Sequence, residues 1–262
     1  MSVPSQTKTQ RKQNPERPRR IKRSETTDES VVRGDDRWNR RVLWLLMGLT
    51  FGTGIVDAIG YLALNHVFIG NMTGNIVILG MALVGADKLP VLGPLLAMLC
   101  FSLGASAAGV ALRSKPSIWP GSATVLLLLA GALVLSMGAL SLVLRDPDSS
   151  AQLVMSSVSA WAMGMQAYVA RKLAIRDVTT VVVTSTLTAF AGELFIRPSM
   201  KSLLNRRAAA ILAMLLGAAV GALMVHLSTG YALVFAGLII VVVSILGHLA
   251  TKSALRAGST DR

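Results

Sequence analysis

Asp57 is the one charged residue in Val42–Leu64, an apolar stretch long enough to cross a bilayer. A charge at mid-bilayer depth is penalised by about 2.5 to 3.5 kcal/mol on insertion scales, so such a carboxylate faces a bundle interior and marks a functional site by default. Thr50, Thr53, Asp57 and Tyr61 recur every three or four residues and share one helix face. Shortly after comes Gly70-Asn71-Met72-Thr73-Gly74-Asn75. Asn71 and Asn75 lie four apart, and the glycines Gly70 and Gly74 permit either close helix packing or an unwound backbone whose amides and carbonyls become ligands. The chemistry available is proton or ion handling by a carboxylate, with amides and hydroxyls to hold a small polar solute. His66, between the two elements, is a candidate proton relay for Asp57.

Both elements have a partial echo. Gly54-Ile55-Val56-Asp57-Ala58 reappears as Gly164-Met165-Gln166-Ala167, and Met72-Thr73-Gly74-Asn75-Ile76 is answered by Val183-Thr184-Ser185-Thr186-Leu187. The offset of about 110 residues points to a duplicated unit. In the second copy Gln166 replaces the carboxylate with a neutral amide, so proton coupling rests on Asp57. The expected binding set is Asp57, Asn71, Thr73, Asn75, Gln166 and Thr184.

These residues need long apolar helices to position them. Hydrophobic side chains make up 53% of the 262 residues, and the mean hydropathy is +0.59. The apolar runs are separated by short charged loops, which is the composition of a multi-pass membrane protein. The expected fold is therefore all-α, a polytopic transmembrane bundle of six to eight spans with one or more broken helices. Windows of about 20 residues place spans near 42–64, 67–86, 89–112, 121–144, 152–170, 178–196, 208–227 and 230–250. Gly, Thr, Asn and Ser weaken the first two and the fifth and sixth. The domain reading is a disordered basic tail over 1–38, a helical domain over 39–252 with repeats 42–144 and 152–250, and a short C-terminal tail over 253–262. Four spans per copy would make the repeats parallel, and an odd number would make them inverted.

The formal charge of +13 does not indicate nucleic-acid binding, because of where it falls. The first 41 residues hold 12 Lys and Arg against 6 Asp and Glu, and the rest of the cations sit in loops and ends. That distribution follows the positive-inside rule and puts the N-terminus in the cytoplasm, with the chain in the inner, cytoplasmic membrane. Eight spans, however, place Arg113–Lys115 and Arg171–Arg176 outside, against the rule; six spans redistribute these loops. Arg17, Arg19, Arg20, Lys22 and Arg23 could contact anionic lipid headgroups. Trp38, Trp44 and Trp119 are expected as headgroup-level anchors. Cys100 is the single cysteine, so no disulfide framework or Cys-rich metal site forms within one chain, and oligomers remain open. No catalytic motif, cofactor motif or metal-ligand spacing is present, and no enzyme activity is expected.

The stretches Gly54–Ala58 and Phe68–Asn75, with Gly164–Ala167 and Val178–Thr188, resemble the YoaK-type family of bacterial membrane proteins. The likeness runs over most of residues 42–250. It implies an integral membrane protein of unknown function and offers no substrate or catalytic residues. The residues themselves point to a transporter of a small molecule or ion with a midplane site around Asp57. The alternative is a non-catalytic scaffold or partner-binding subunit whose polar patches knit helices together.

Overall fold

A computed structural model describes residues 36–86, 89–114, 119–173, 188, 191–192 and 206–260. Among them the chain forms seven helices: α1 (Asp36–Ala63), α2 (Met72–Leu83), α3 (Leu92–Leu112), α4 (Gly121–Leu144), α5 (Ser149–Leu173), α6 (Arg206–Leu227) and α7 (Thr229–Thr260). α1, α3, α4, α6 and α7 are each long and apolar enough to cross a membrane. Local chemistry sets several of their ends. Pro120 precedes α4, and Pro94 occupies the first turn of α3, where no intrahelical donor is lost. Asp148 caps α5 by accepting the Ala151 N–H at 2.9 Å, and α4 ends at Arg145, whose φ of 55° turns the chain.

α5 is the exception in composition. Its serines and Gln166 make it too polar to qualify as a span by hydropathy, yet it turns its polar groups into the protein, with Met155, Ser156, Ser159, Met163, Gln166 and Val169 all buried. Gly104 of α3 lies against Trp161, Gly109 against Tyr168, and Lys172 Nζ donates to the Leu112 carbonyl. α5 therefore runs parallel to α3 along its whole length and covers the same depth. With those groups facing protein, it does not need the apolarity that a lipid-facing helix needs. The outward faces of the other helices carry Leu83, Val84, Leu103, Val110, Val125, Val143, Leu223 and Leu227, all exposed, as expected for a bundle surrounded by lipid tails.

Close contacts fix the direction of every long helix. Gly217 of α6 sits against Phe51 and Gly221 against Ile55, so α6 runs parallel to α1. Gly48 meets Val243 and Gly52 meets Ile239, so α7 runs antiparallel to α1. Gly131 meets Gly237 and Val241 while Gly138 meets Gly230 and Val234, so α4 and α7 are antiparallel. Thus α1, α4 and α6 point one way, and α3, α5 and α7 the other.

The sequence windows over 67–86 anticipated a span that does not form. Residues 64–71 instead fold back along α1, with Gly60 O accepting from both Leu64 N and Val67 N at 3.2 Å, and only the 12-residue α2 follows. By Gly93 the chain is again beside Val67 and Asn65, at the end of the bundle it had left. The excursion is re-entrant, and six helices run the full depth among the described residues. The window at 178–196 lies outside the described residues.

The same contacts relate the two halves. Gly54 of α1 presses on Met214 and Ala218 of α6, and Gly164 of α5 presses in the same way on Phe101 and Ala105 of α3. Reciprocally, Gly217 presses on the Phe51 carbonyl and Gly104 on the Trp161 carbonyl. An exchange of α1 with α5 and of α3 with α6 reproduces both sets. Between α4 and α7 the exchange is internal: Gly131 meets Val241 as Gly237 meets Leu135. Because α4 and α7 are antiparallel, the two-fold relation has its axis across the helices, in the membrane plane. The halves are inverted, and not parallel as four spans each would require, because each holds three full-depth helices.

Two boundaries also move. α1 begins at Asp36, inside the segment read as tail, and α7 continues to Thr260, past Lys252. Trp44 is exposed as an anchor should be, whereas Trp38 and Trp119 are buried. Trp119 packs on Gly247 and donates to Thr124 Oγ1 at 3.0 Å, while Ser244 Oγ donates to Thr124 O at 2.9 Å. It is a clasp between α4 and α7.

Candidate functional site around Asp57

Asp57 is buried about two turns before the end of α1. Its Oδ1 accepts three consecutive backbone N–H groups, from Ile69 at 2.9 Å, Gly70 at 2.6 Å and Asn71 at 3.2 Å. These lie just ahead of α2, so the carboxylate occupies an anion nest at a helix N-terminus. The Asn71 side chain caps α2 by accepting the Gly74 N–H at 3.3 Å. Asn75, fully buried one turn into α2, pairs with the backbone of Phe68 through both halves of its amide: Oδ1 accepts from Phe68 N at 2.8 Å and Nδ2 donates to Phe68 O at 2.6 Å. The descending limb thus has no β-partner strand, and Asp57 and Asn75 satisfy its backbone in place of one. Gly60 is required there, since a Cβ would strike the Val67 carbonyl and Ile69.

One oxygen of the carboxylate is left over. Asp57 Oδ2 is buried without a hydrogen-bond partner among the described residues, and so is Gln166 Oε1. Gln166 reaches across from α5 to donate Nε2 to Thr53 Oγ1 at 3.2 Å. Thr53 spends its own hydroxyl proton on Leu49 O at 2.9 Å, so its oxygen receives the Gln166 amide as an acceptor. That fixes the amide orientation and leaves the Gln166 carbonyl as the free group. A Cβ placed at Gly70 would lie 2.9 Å from Thr53 Cγ2 and 3.7 Å from Asp57 Oδ2, so the glycine keeps Thr53 and the free carboxylate oxygen beside one another. Along α5, Ser159 Oγ, two turns from Gln166, is also buried without a partner.

The structure joins Asp57 to the backbone of Asn71 and joins Gln166 to Thr53, one turn before Asp57 on α1, with Asn75 bracing the loop. Thr73 is exposed on the outer side of α2. His66 is exposed at the turn with φ 55°, its ring edge-on to Tyr61 at 5.4 Å, and Tyr61 in turn stacks on Phe68 at 5.2 Å. Thr184 lies outside the described residues, as do Arg17, Arg19, Arg20, Lys22 and Arg23. In packing register Gly164 answers Gly54, which sets Ala167 and not Gln166 at the place corresponding to Asp57. Gln166 meets the first half by reaching Thr53. Thr53 was visible as part of the polar face but not as the residue that joins the halves. No group of three or more His, Cys, Asp or Glu suited to a metal ion occurs among the described residues.

Residues 45–246 match the family model described as "Protein of unknown function (DUF1275)". The chain belongs to that family. It is also 34% identical over 192 residues to UPF0700 transmembrane protein YoaK of Bacillus subtilis (strain 168), covering 70% of this chain and 83% of the relative. No solved structure matches. The resemblance read from Gly54–Ala58 and Gly70–Asn75 therefore holds at family level. The matched range contains the Asp57 cluster and most of every full-depth helix, and this DUF1275 protein is a multi-pass helical membrane protein.

Proposed function

We propose that this protein moves a small polar solute or ion across the cytoplasmic membrane, using a mid-depth site around Asp57, Thr53 and Gln166 and no catalytic step. The observation that supports it best is the inverted relation of two three-helix halves beside a re-entrant segment. Transporters use that arrangement to expose one midplane site to either side in turn, with broken backbone serving as ligand. Asp57 is the proton-coupling candidate, and His66, at the exposed turn, would relay protons to one side. The orientation that fits has both described ends cytoplasmic. Arg40, Arg41, Arg113, Arg171, Lys172 and Lys252 all lie at the end where α1 begins, while the opposite end carries Arg145 with Asp146 and Asp148. The basic tail would then meet anionic lipid.

A second reading, a scaffold without solute, has its own support: Asp57 Oδ1 and both ends of the Asn75 amide are spent on the protein's own backbone. Thermal stability of the detergent-purified protein across a solute and pH panel separates the two, because a ligand of the folded state raises the apparent melting temperature. A solute-specific rise that Asp57→Asn abolishes is the expected result. No shift with any solute, together with a variant that is merely less abundant, would leave the scaffold.

A further inference from the structure

We infer that Asp57 Oδ2, Gln166 Oε1 and Thr53 Oγ1 together bind one small monovalent cation, either a transferable proton or an alkali ion. Every free atom in the cluster is an oxygen acceptor. The Thr53 proton is committed to Leu49 O and one Gln166 N–H to Thr53, so the unpartnered atoms, Asp57 Oδ2 and Gln166 Oε1, offer lone pairs only. A ligand that satisfies these two oxygens must bring positive charge or its own N–H or O–H groups. Asp57 and Gln166 are both more than nine-tenths buried, and an unpartnered carboxylate oxygen and an unpartnered amide carbonyl at that depth each carry a desolvation cost that a cation relieves.

The charge of the ligand follows from what surrounds it. Among the described residues no Lys, Arg or His pairs with Asp57; its partners are the Ile69, Gly70 and Asn71 N–H groups, all on Oδ1. Thr50 and Tyr61 on the same helix are neutral. Thr50 is turned to its own helix, donating to Leu46 O, and Tyr61 stacks on Phe68. α5 contributes Gln166, and α6 contributes backbone and small residues at Gly217 and Ala218. One carboxylate is neutralised by one monovalent cation, whereas a divalent ion would leave a net positive charge in the apolar interior. Oxygen ligands of this kind suit a hard ion. The nest on Oδ1 holds the carboxylate in place whether or not the ion is bound, so Oδ2, with the Gln166 carbonyl that α5 brings from the other half, forms the exchangeable part. That this ion drives solute movement rests on the transport function proposed above; its binding does not.

The test is the melting temperature of the full-length, detergent-purified protein in NaCl, KCl or LiCl against N-methylglucamine chloride at constant ionic strength, repeated from pH 5 to 9. Wild type, Asp57→Asn and Gln166→Leu are compared. For an alkali ion, wild type is expected to show a saturating rise with one cation over the others, absent in Asp57→Asn and shifted at least tenfold in concentration in Gln166→Leu. For a proton, the alkali ions are equivalent, and the difference between wild type and Asp57→Asn changes with pH in N-methylglucamine. Identical responses of wild type and Asp57→Asn to every cation and pH would overturn the site. Should Asp57→Asn not fold, Gln166→Leu and Thr53→Val decide by the same readout, since neither touches the nest. Ion-linked stability without flux in proteoliposomes would remove transport and keep the site. Flux unaffected by Asp57→Asn, with no ion-linked stability, would do the reverse.

Discussion

At the scale of single residues, Asp57 has two separable duties, one per oxygen. Oδ1 accepts three N–H groups that have no other partner at that depth, and Oδ2 is free. Asp57→Ala removes the acceptor and leaves three donors unsatisfied, at about 1 to 3 kcal/mol for each buried group. Asp57→Asn keeps an acceptor in place and gives up only the charge. We therefore expect Asp57→Ala to lower folded yield and melting temperature sharply, and Asp57→Asn to remain monodisperse with a loss of about 1 kcal/mol, read by thermal unfolding in detergent. Asn75→Leu, which deletes both bonds to Phe68, should destabilise in the same way but by less, at about 2 kcal/mol or more for two groups in place of three. If Asp57→Ala is as stable as Asp57→Asn, the nest carries no weight in folding. The burial of Asp57 was legible from one charge in an apolar run. Its partners were not, because backbone amides have no sequence signature, and Asn75, which read as a ligand, is occupied holding the loop.

At the scale of helices, stability is carried by places where backbones touch. Lipid tails are as apolar as leucine, so helices associate in a membrane through close packing and not through escape from water. Gly54, Gly104, Gly164 and Gly217 each lie where a Cβ would collide with the backbone of the partner helix. Backbone cannot rotate out of the way as a side chain can. Substitution of any one of the four by Val is expected to cost about 3 kcal/mol or more by overpacking. Since the α1–α6 and α5–α3 contacts are equivalent, Gly54→Val should match Gly164→Val, and Gly217→Val should match Gly104→Val. Gly80 and Gly121, which face open space, serve as controls and should tolerate Ala. Folded yield by size-exclusion chromatography checks this, and a large inequality within either pair would break the two-fold relation. The sequence showed Gly54 and Gly164 as an echo. It could not show their equivalence, because the halves carry unlike side chains at most other positions and share mainly the close approach of their backbones.

For the whole molecule, the decisive quantity is the number of crossings, and hydropathy alone misjudges it in two places. The 67–86 segment is apolar enough to read as a span, yet its backbone is bound to Asp57 and Asn75 and it returns to the end it left. α5 is too polar to qualify, yet it runs full depth with Ser156, Ser159 and Gln166 turned into the protein and away from lipid. The six full-depth helices among the described residues remove the conflict that eight created, since Arg113 and Arg171 now share an end with Arg40 and Lys252. Single cysteines in a Cys100→Ala background distinguish the two counts. Asn65→Cys and Ser228→Cys face the same side in either case, but Asp146→Cys joins them only if there are six crossings, as read by a membrane-impermeant thiol reagent applied to intact cells. With Ser253→Cys as the opposite-side control, labelling of 65, 146 and 228 together, and of 253 only after permeabilisation, is the expected pattern. If 146 labels with 253, α2 or its surroundings cross the membrane after all. The inverted relation of the halves would then fail, and with it the main support for transport, because an even number of crossings in each half cannot be related by an axis in the membrane plane.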